Sequence, residues 1–164
     1  QQVNAMKSKS MVFVIAAVLA VAAVSIVINY GLMDNDSEAK YEVDFLFERN
    51  TGEKEWSHGS GDTPQDALKN ACDKIGYELE YTGTGNTLWI DTIDGIGWGA
   101  AAPEDTTKSG SSWVHYEWDS ESGSWILTDY LFGNLPTGVK YFCFFYTDLD
   151  TSWAPIGSPT AVPA

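Results

Sequence analysis

The chain has 164 residues, 44% of them hydrophobic and 13% aromatic, with a formal net charge of −14 at neutral pH. All 23 acidic residues lie at or after Asp34, against seven of the nine basic ones, so the part beyond Asp34 carries about −16. Such a surface repels phosphate backbones, which argues against a nucleic-acid partner. Seven Trp, eight Tyr and seven Phe exclude a disordered stalk.

Residues 1–5 precede Met6-Lys7-Ser8-Lys9, which reads as a natural start, and are set aside from the fold. From Ser10 to Met33 there is no charge, a run long enough to cross a bilayer as a helix of ~20 residues. We therefore expect a cytoplasmic amino terminus over 1–10 and a transmembrane anchor over 11–33. Ala20-Val21-Ala22 offers a signal-cleavage site, but the chain stays apolar beyond it, which favours an uncleaved anchor over a cleaved signal. Lys7 and Lys9 on the amino-terminal flank orient the remainder outside the cell. The expected location is a single-pass cell-membrane protein with its carboxy-terminal domain outside, or a secreted protein if the segment is cleaved. An acidic linker follows over 34–40, in which Asn35-Asp36-Ser37 is an acceptor for N-glycosylation.

Tyr41 to Glu48 alternates Tyr41, Val43, Phe45 and Phe47 with more polar residues, the pattern of a half-buried strand. The turn Arg49-Asn50-Thr51-Gly52 returns the chain along Lys54 to His58. A helix is expected next, with Thr63 as N-cap, Pro64 at its first position and Gly76 as its left-handed stop. Its apolar stripe of Ala67, Leu68, Ala71, Cys72 and Ile75 predicts packing on a sheet. Strands are expected at Tyr77–Tyr81 and Thr87–Ile93, then a long loop over Asp94–Ser112, then strands at Ser112–Trp118, Trp125–Leu131 and Lys140–Thr147. The residues 151–164, rich in Pro, Ser and Ala, read as a loose tail. The fold class is thus α+β: an amino-terminal transmembrane helix followed by one mostly antiparallel β domain over 41–150 with one packed α-helix.

The order of pieces carries a resemblance. A hairpin precedes Gly61-Asp62-Thr63-Pro64-Gln65-Asp66-Ala67-Leu68, then come a strand ending Ile93-Asp94-Gly95, the strand Trp113-Val114-His115-Tyr116, and a closing aromatic strand. This resembles an uncharacterised family of prokaryotic surface domains similar to the carboxy-terminal β domain of transcobalamin and intrinsic factor. The likeness covers roughly residues 41–148 and implies a corrinoid-like ligand class. The connection Trp118 to Gly123 is longer than the family's usual Asn-Gly turn. In the animal proteins cobalamin lies between this domain and a large helical domain that has no counterpart in these residues.

Aromatic side chains are the main candidates for recognition, because Trp joins a large flat area to a polar N–H. Trp98, isolated in the Gly-rich loop, Trp153 in the tail and Trp125 after a turn are the expected ligand-binding residues. By contrast Trp113 to Trp118 reads first as a strand covered on both faces. Outside the cytoplasm the pair Cys72 and Cys143 is permitted to form a disulfide; two separate buried thiols is the other reading, and both stay open. No catalytic residue is proposed, since the chain lacks a nucleophile elbow, a His-Glu-x-x-His helix and a phosphate-cradling loop. Neither a metal site nor a cofactor is called, because the acidic stretches at Asp34–Glu38 and Asp119–Glu121 fall short of a calcium loop. The expected function is a membrane-anchored, extracellular, non-enzymatic domain that binds a small corrinoid-like ligand or a glycan through exposed aromatics. The alternative is a structural, adhesion or interaction module of the cell surface. Its partners would be the membrane, through residues 11–33, and such a ligand; the sequence leaves the oligomeric state open.

Overall fold

The computed structural model describes residues 39–164, so the anchor expected over 11–33, most of the linker and the Asn35 acceptor lie outside the described residues. Among the described residues no helix is long and apolar enough to cross a membrane. The elements in chain order are β1 (Tyr41–Arg49), β2 (Lys54–Gly61), α1 (Pro64–Ile75), β3 (Leu79–Thr82), β4 (Trp89–Ile93), β5 (Ile96–Gly97), β6 (Gly99–Ala100), β7 (Lys108–Asp119), β8 (Ser124–Leu127) and β9 (Tyr141–Asp150). Short 3-10 turns at Gly85–Thr87 and Phe132–Asn134 join them. The coarse expectation of mostly antiparallel strands with one helix matches this architecture.

The main sheet runs β2-β1-β9-β7-β6, and β8 pairs with the other half of β7. Only β1 and β9 are parallel within it, with Phe45 opposite Phe142 and Phe47 opposite Phe144. Strand alternation sends Val43, Phe45 and Phe47 of β1, and Phe142 and Phe144 of β9, to one face. There they meet Phe132, Leu88, Ile93 and the apolar stripe of α1 in the larger core. The small sheet β3-β4-β5 closes the same side, with Leu79, Ile90 and Ile96 packed against that core.

Helix α1 begins and ends where its capping chemistry dictates. Asp66 donates its N–H to Thr63 Oγ1 at 3.1 Å, and Gly76 takes the left-handed conformation at φ 75°. Its close approach to β2 depends on two glycines. A Cβ at Gly59 would run into the Ala67 carbonyl, and one at Gly61 would crowd Asp66. Two residues before Gly59, β2 also supplies Ser57, whose hydroxyl donates to Ala71 O at 2.7 Å.

The opposite face of the sheet carries a second, smaller core of Leu46, Tyr116, Cys143 and Phe145. That apolar surface must be covered, and the residues expected to form a loose tail cover it. Tyr116 OH donates to Gly157 O at 3.2 Å, and Trp125 Nε1 donates to Ala161 O at 2.6 Å. Glu48, only 1% exposed, takes the backbone N–H of Thr160 at 2.9 Å, that of Ala161 at 3.1 Å and the Thr160 hydroxyl at 2.6 Å. The tail is therefore docked rather than loose, because a sheet with apolar residues on both faces needs a second layer.

Two further expectations change. The region Asp94–Ser112 is not one long loop, since β5, β6 and the start of β7 lie within it. The strand expected over Trp125–Leu131 stops at Leu127, and a turn at Phe132–Asn134 drives Phe132 into the larger core. The expectation that β7 is covered on both faces holds: Trp113 belongs to the larger core and Tyr116 to the smaller.

Candidate functional site

The sheet order places Trp98 and Trp153 at one end of the main sheet. Trp98 directly precedes β6 and Trp153 follows β9, and these strands flank β7 on either side. Gly110 of β7, having no side chain, leaves the space in which the Trp98 ring lies; a Cβ there would strike its six-membered ring. The two indoles then stack, with centroids 5.5 Å apart and planes 21° apart. Both remain open to solvent, Trp98 at 51% and Trp153 at 62%.

Backbone strain holds the outer indole. Trp153 has φ 66°, a conformation unfavourable for a bulky L-residue. The turn around it is fastened by Asp150, whose Oδ1 accepts the N–H of Ser152 at 2.7 Å and of Ala154 at 3.0 Å. Its carbonyl takes the Trp153 N–H at 2.9 Å. Nearby in sequence, Lys108 Nζ and Ser111 Oγ both bond Asp148, at 2.6 Å and 2.7 Å. These bonds hold the Asp148 carboxyl below the usual carboxylate range, so it stays ionised. Chemically the pair is a flat, wide aromatic surface on a fixed turn, suited to stacking against a ring.

Trp125, the third expected site residue, is elsewhere. Its ring packs on Trp56 at 6.2 Å and Trp118 at 5.3 Å, and its N–H is spent on Ala161 O. Its place in β8, packed under the docked tail, gives it a structural role apart from the Trp98–Trp153 pair. Cys72 and Cys143 are both free and buried. Cys72 sits on α1 in the larger core and Cys143 on the opposite face of the sheet in the smaller one, so the sheet stands between them. The second of the two open readings, separate buried thiols, is the one the structure takes.

Sequence reasoning missed a groove of about 750 Å³ at the far end of β7, between β8 and the segment 128–141. Ile126, Leu127, Trp118 and Tyr141 supply apolar wall, while Glu117, Asp119, Glu121 and Asp129 supply acid. Tyr130 donates to Glu117 Oε2 at 2.8 Å, and its own burial, with that carboxylate beside it, raises the phenol well above its usual range. Asp119 caps the β7–β8 turn by accepting the N–H of Glu121 at 2.9 Å. Only the alternation of Glu117 and Asp119 at the end of β7 hinted at this acidic rim.

His58, on β2, lies between two carboxylates: Nδ1 is 2.9 Å from Asp44 and Nε2 2.8 Å from Glu42. All three side chains are exposed, and no nucleophile accompanies them, so they read as a surface charge cluster. No group of His, Cys, Asp and Glu suited to a metal ion occurs among the described residues. No family model, curated protein or solved structure matches this chain.

Proposed function

We propose that this chain is a membrane-anchored, extracellular, non-enzymatic domain that binds a glycan or another flat-ringed ligand on the Trp98–Trp153 pair. The observation that carries the reading is the exposure of two stacked indoles, one on a strained backbone at φ 66°. Large exposed aromatic patches and strained loop residues both mark recognition sites more often than packing. The surface is open rather than enclosing, which favours a sugar ring lying on an indole face over a wrapped small molecule. A corrinoid-like ligand, implied by the transcobalamin-like resemblance, belongs to the same proposal as a second ligand class with extended ring faces. The anchor over 11–33 and outward orientation rest on the apolar run and its lysines.

The test is binding of the full chain, in mild detergent, to an array of cell-wall and surface glycans and to cobalamin, read by tryptophan fluorescence. Trp98→Ala and Trp153→Ala should each abolish a response seen in the parent chain. A ligand that binds both variants unchanged, or silence from every probe, rejects the reading.

A further inference from the structure

The main sheet is edged by β2 on one side and by β6 and the four-residue β8 on the other, and β2 and β8 are finished differently. At β2, the bond from Asp44 N–H to Lys140 O at 2.8 Å shows that Asp44 faces β9, so its partner His58 points its backbone outward. That outward edge is occupied: Lys74 Nζ donates to His58 O at 2.9 Å, and Asn70 Oδ1 accepts the Ser60 N–H at 3.2 Å. Side chains of α1 thus blunt the edge against pairing.

At β8 nothing comparable occurs. Thr128 N–H donates to His115 O at 3.0 Å, which makes His115 and Thr128 a bonded pair and fixes the alternation along β7 and β8. Ile126 and Ser124 then turn their backbone groups toward β7, whereas the N–H and C=O of Trp125 and Leu127 turn away from it. Among the described residues no other strand pairs with β8. The side chains along this edge are apolar and open, Ile126 at 49% and Leu127 at 48%. An exposed apolar edge strand is a template for another strand.

We propose that β8 is a strand-addition site for an extended, basic segment of a partner protein. Charge selects that occupant. The adjoining groove presents Glu117, Asp119, Glu121 and Asp129 against Lys140, its one cation among the described residues. An added strand bearing Lys or Arg at alternate positions meets opposite charge on the face of Glu117, Asp119 and Ile126, while its apolar residues on the other face cover Leu127. A second copy of this chain would bring a second acidic rim to the same edge, and the two would repel. The site is separate from the Trp98–Trp153 pair, which lies beyond the other half of β7.

The probe is a fluorescent peptide of about ten residues alternating Lys and Val, near the upper length of ordinary strands. Its control has the same lysines with Pro in place of every Val, which carries the charge but cannot form a ladder. With the full chain in detergent, the alternating peptide should bind about tenfold or more tighter than the control, and the amides of Trp125 and Leu127 should gain hydrogen-exchange protection. Leu127→Pro removes an outward N–H and leaves the bonds to β7, a position at which an edge strand tolerates proline. It should weaken the peptide about fivefold to tenfold, and Glu121→Lys with Asp129→Lys should weaken it and reduce its salt dependence. Equal binding of the control, no protection of the two amides, or unchanged binding by a folded Leu127→Pro chain overturns the proposal. Concentration-dependent dimerisation that Leu127→Pro abolishes also overturns it, assigning the edge to a second copy. Should Leu127→Pro fail to fold, amide protection in the unaltered chain decides.

Discussion

The Glu48 carboxylate ties the tail to the sheet, and removing it should release the tail. The group is 1% exposed, and its partners are two backbone N–H groups and the Thr160 hydroxyl rather than a cation. Hydrogen bonds to a charged group contribute about 1.5–3 kcal/mol each, but taking a carboxylate out of water costs several kcal/mol. Glu48→Gln leaves one acceptor oxygen for Thr160 and turns an NH₂ group against the Ala161 N–H. The expected loss is about 2–4 kcal/mol in urea-monitored unfolding. Deleting residues 159–164 removes all three donors and should lower stability by a similar amount, about 2–4 kcal/mol, because the carboxylate is then hydrated but unpaired. The decisive quantity is their coupling. If the carboxylate and the tail act as one latch, the double variant loses little more than either single one, a coupling energy of about 2 kcal/mol or more. Simple additivity, or a Glu48→Gln chain within about 0.5 kcal/mol of the parent, would refute the latch.

Three other outcomes follow from packing and burial. His115 lies among Phe132, Phe142 and Phe144, and burial pushes its ring down to about 4 from the ordinary 6.5. Between these values the unfolded chain binds the extra proton, so this contribution to stability is complete above about pH 6.5 and declines as pH falls toward 4. Full enclosure would set a ceiling of ~3 kcal/mol, and because the residue as a whole is only half-buried about 1–2 kcal/mol is expected. His115→Phe should remove this acid-side decline, read as the difference between the two chains' urea midpoints across that window. Gly59→Ala drives a methyl into the Ala67 carbonyl, and should cost about 2–3 kcal/mol in thermal unfolding as α1 is lifted off β2. Burial pushes the Cys72 thiol up to about 12 and the Cys143 thiol well above its ordinary range. Both should resist alkylation in the folded chain, react once it is unfolded, and show no disulfide by intact mass.

What could be read in advance was local. The inward face of β1, the Thr63 and Gly76 caps and the exposure of Trp98 each depend on a few neighbouring residues, and each appears as expected, whereas Leu46 and Glu48 on the face expected to be half-open are buried. Long-range features left no such mark. The parallel pairing of β1 with β9 joins residues about a hundred positions apart, and loop-closure entropy, not local propensity, governs whether such strands meet. The tail's inward alternation of Pro159, Ala161 and Pro163 spans too few residues to betray docking, and its strongest anchors are backbone N–H groups bonded to a side chain on β1. Glu48 was visible as an acid in a strand, but its burial follows only from the partner that arrives 112 residues later. The stacking of Trp98 on Trp153 was equally hidden, since it needs β6, β7 and β9 side by side and a glycine at 110.

The tail links two of these features without making them one. It begins near the outer indole and ends at the Glu48 latch, so releasing the latch could in principle free Trp153. The bonds between them argue otherwise. Ile156 N–H donates to Asp148 O at 2.8 Å, its carbonyl accepts the Thr147 hydroxyl, and Leu149 bridges Pro155. These contacts pin the chain to the end of β9 before it crosses the outer face, and the Asp150 turn sets Trp153 on its own. Opening at Glu48 should therefore propagate back to Gly157 and stop there. A Glu48→Gln chain keeps the stacked indoles, so any ligand of the aromatic pair should bind it as it binds the parent, while its last residues exchange amide protons freely.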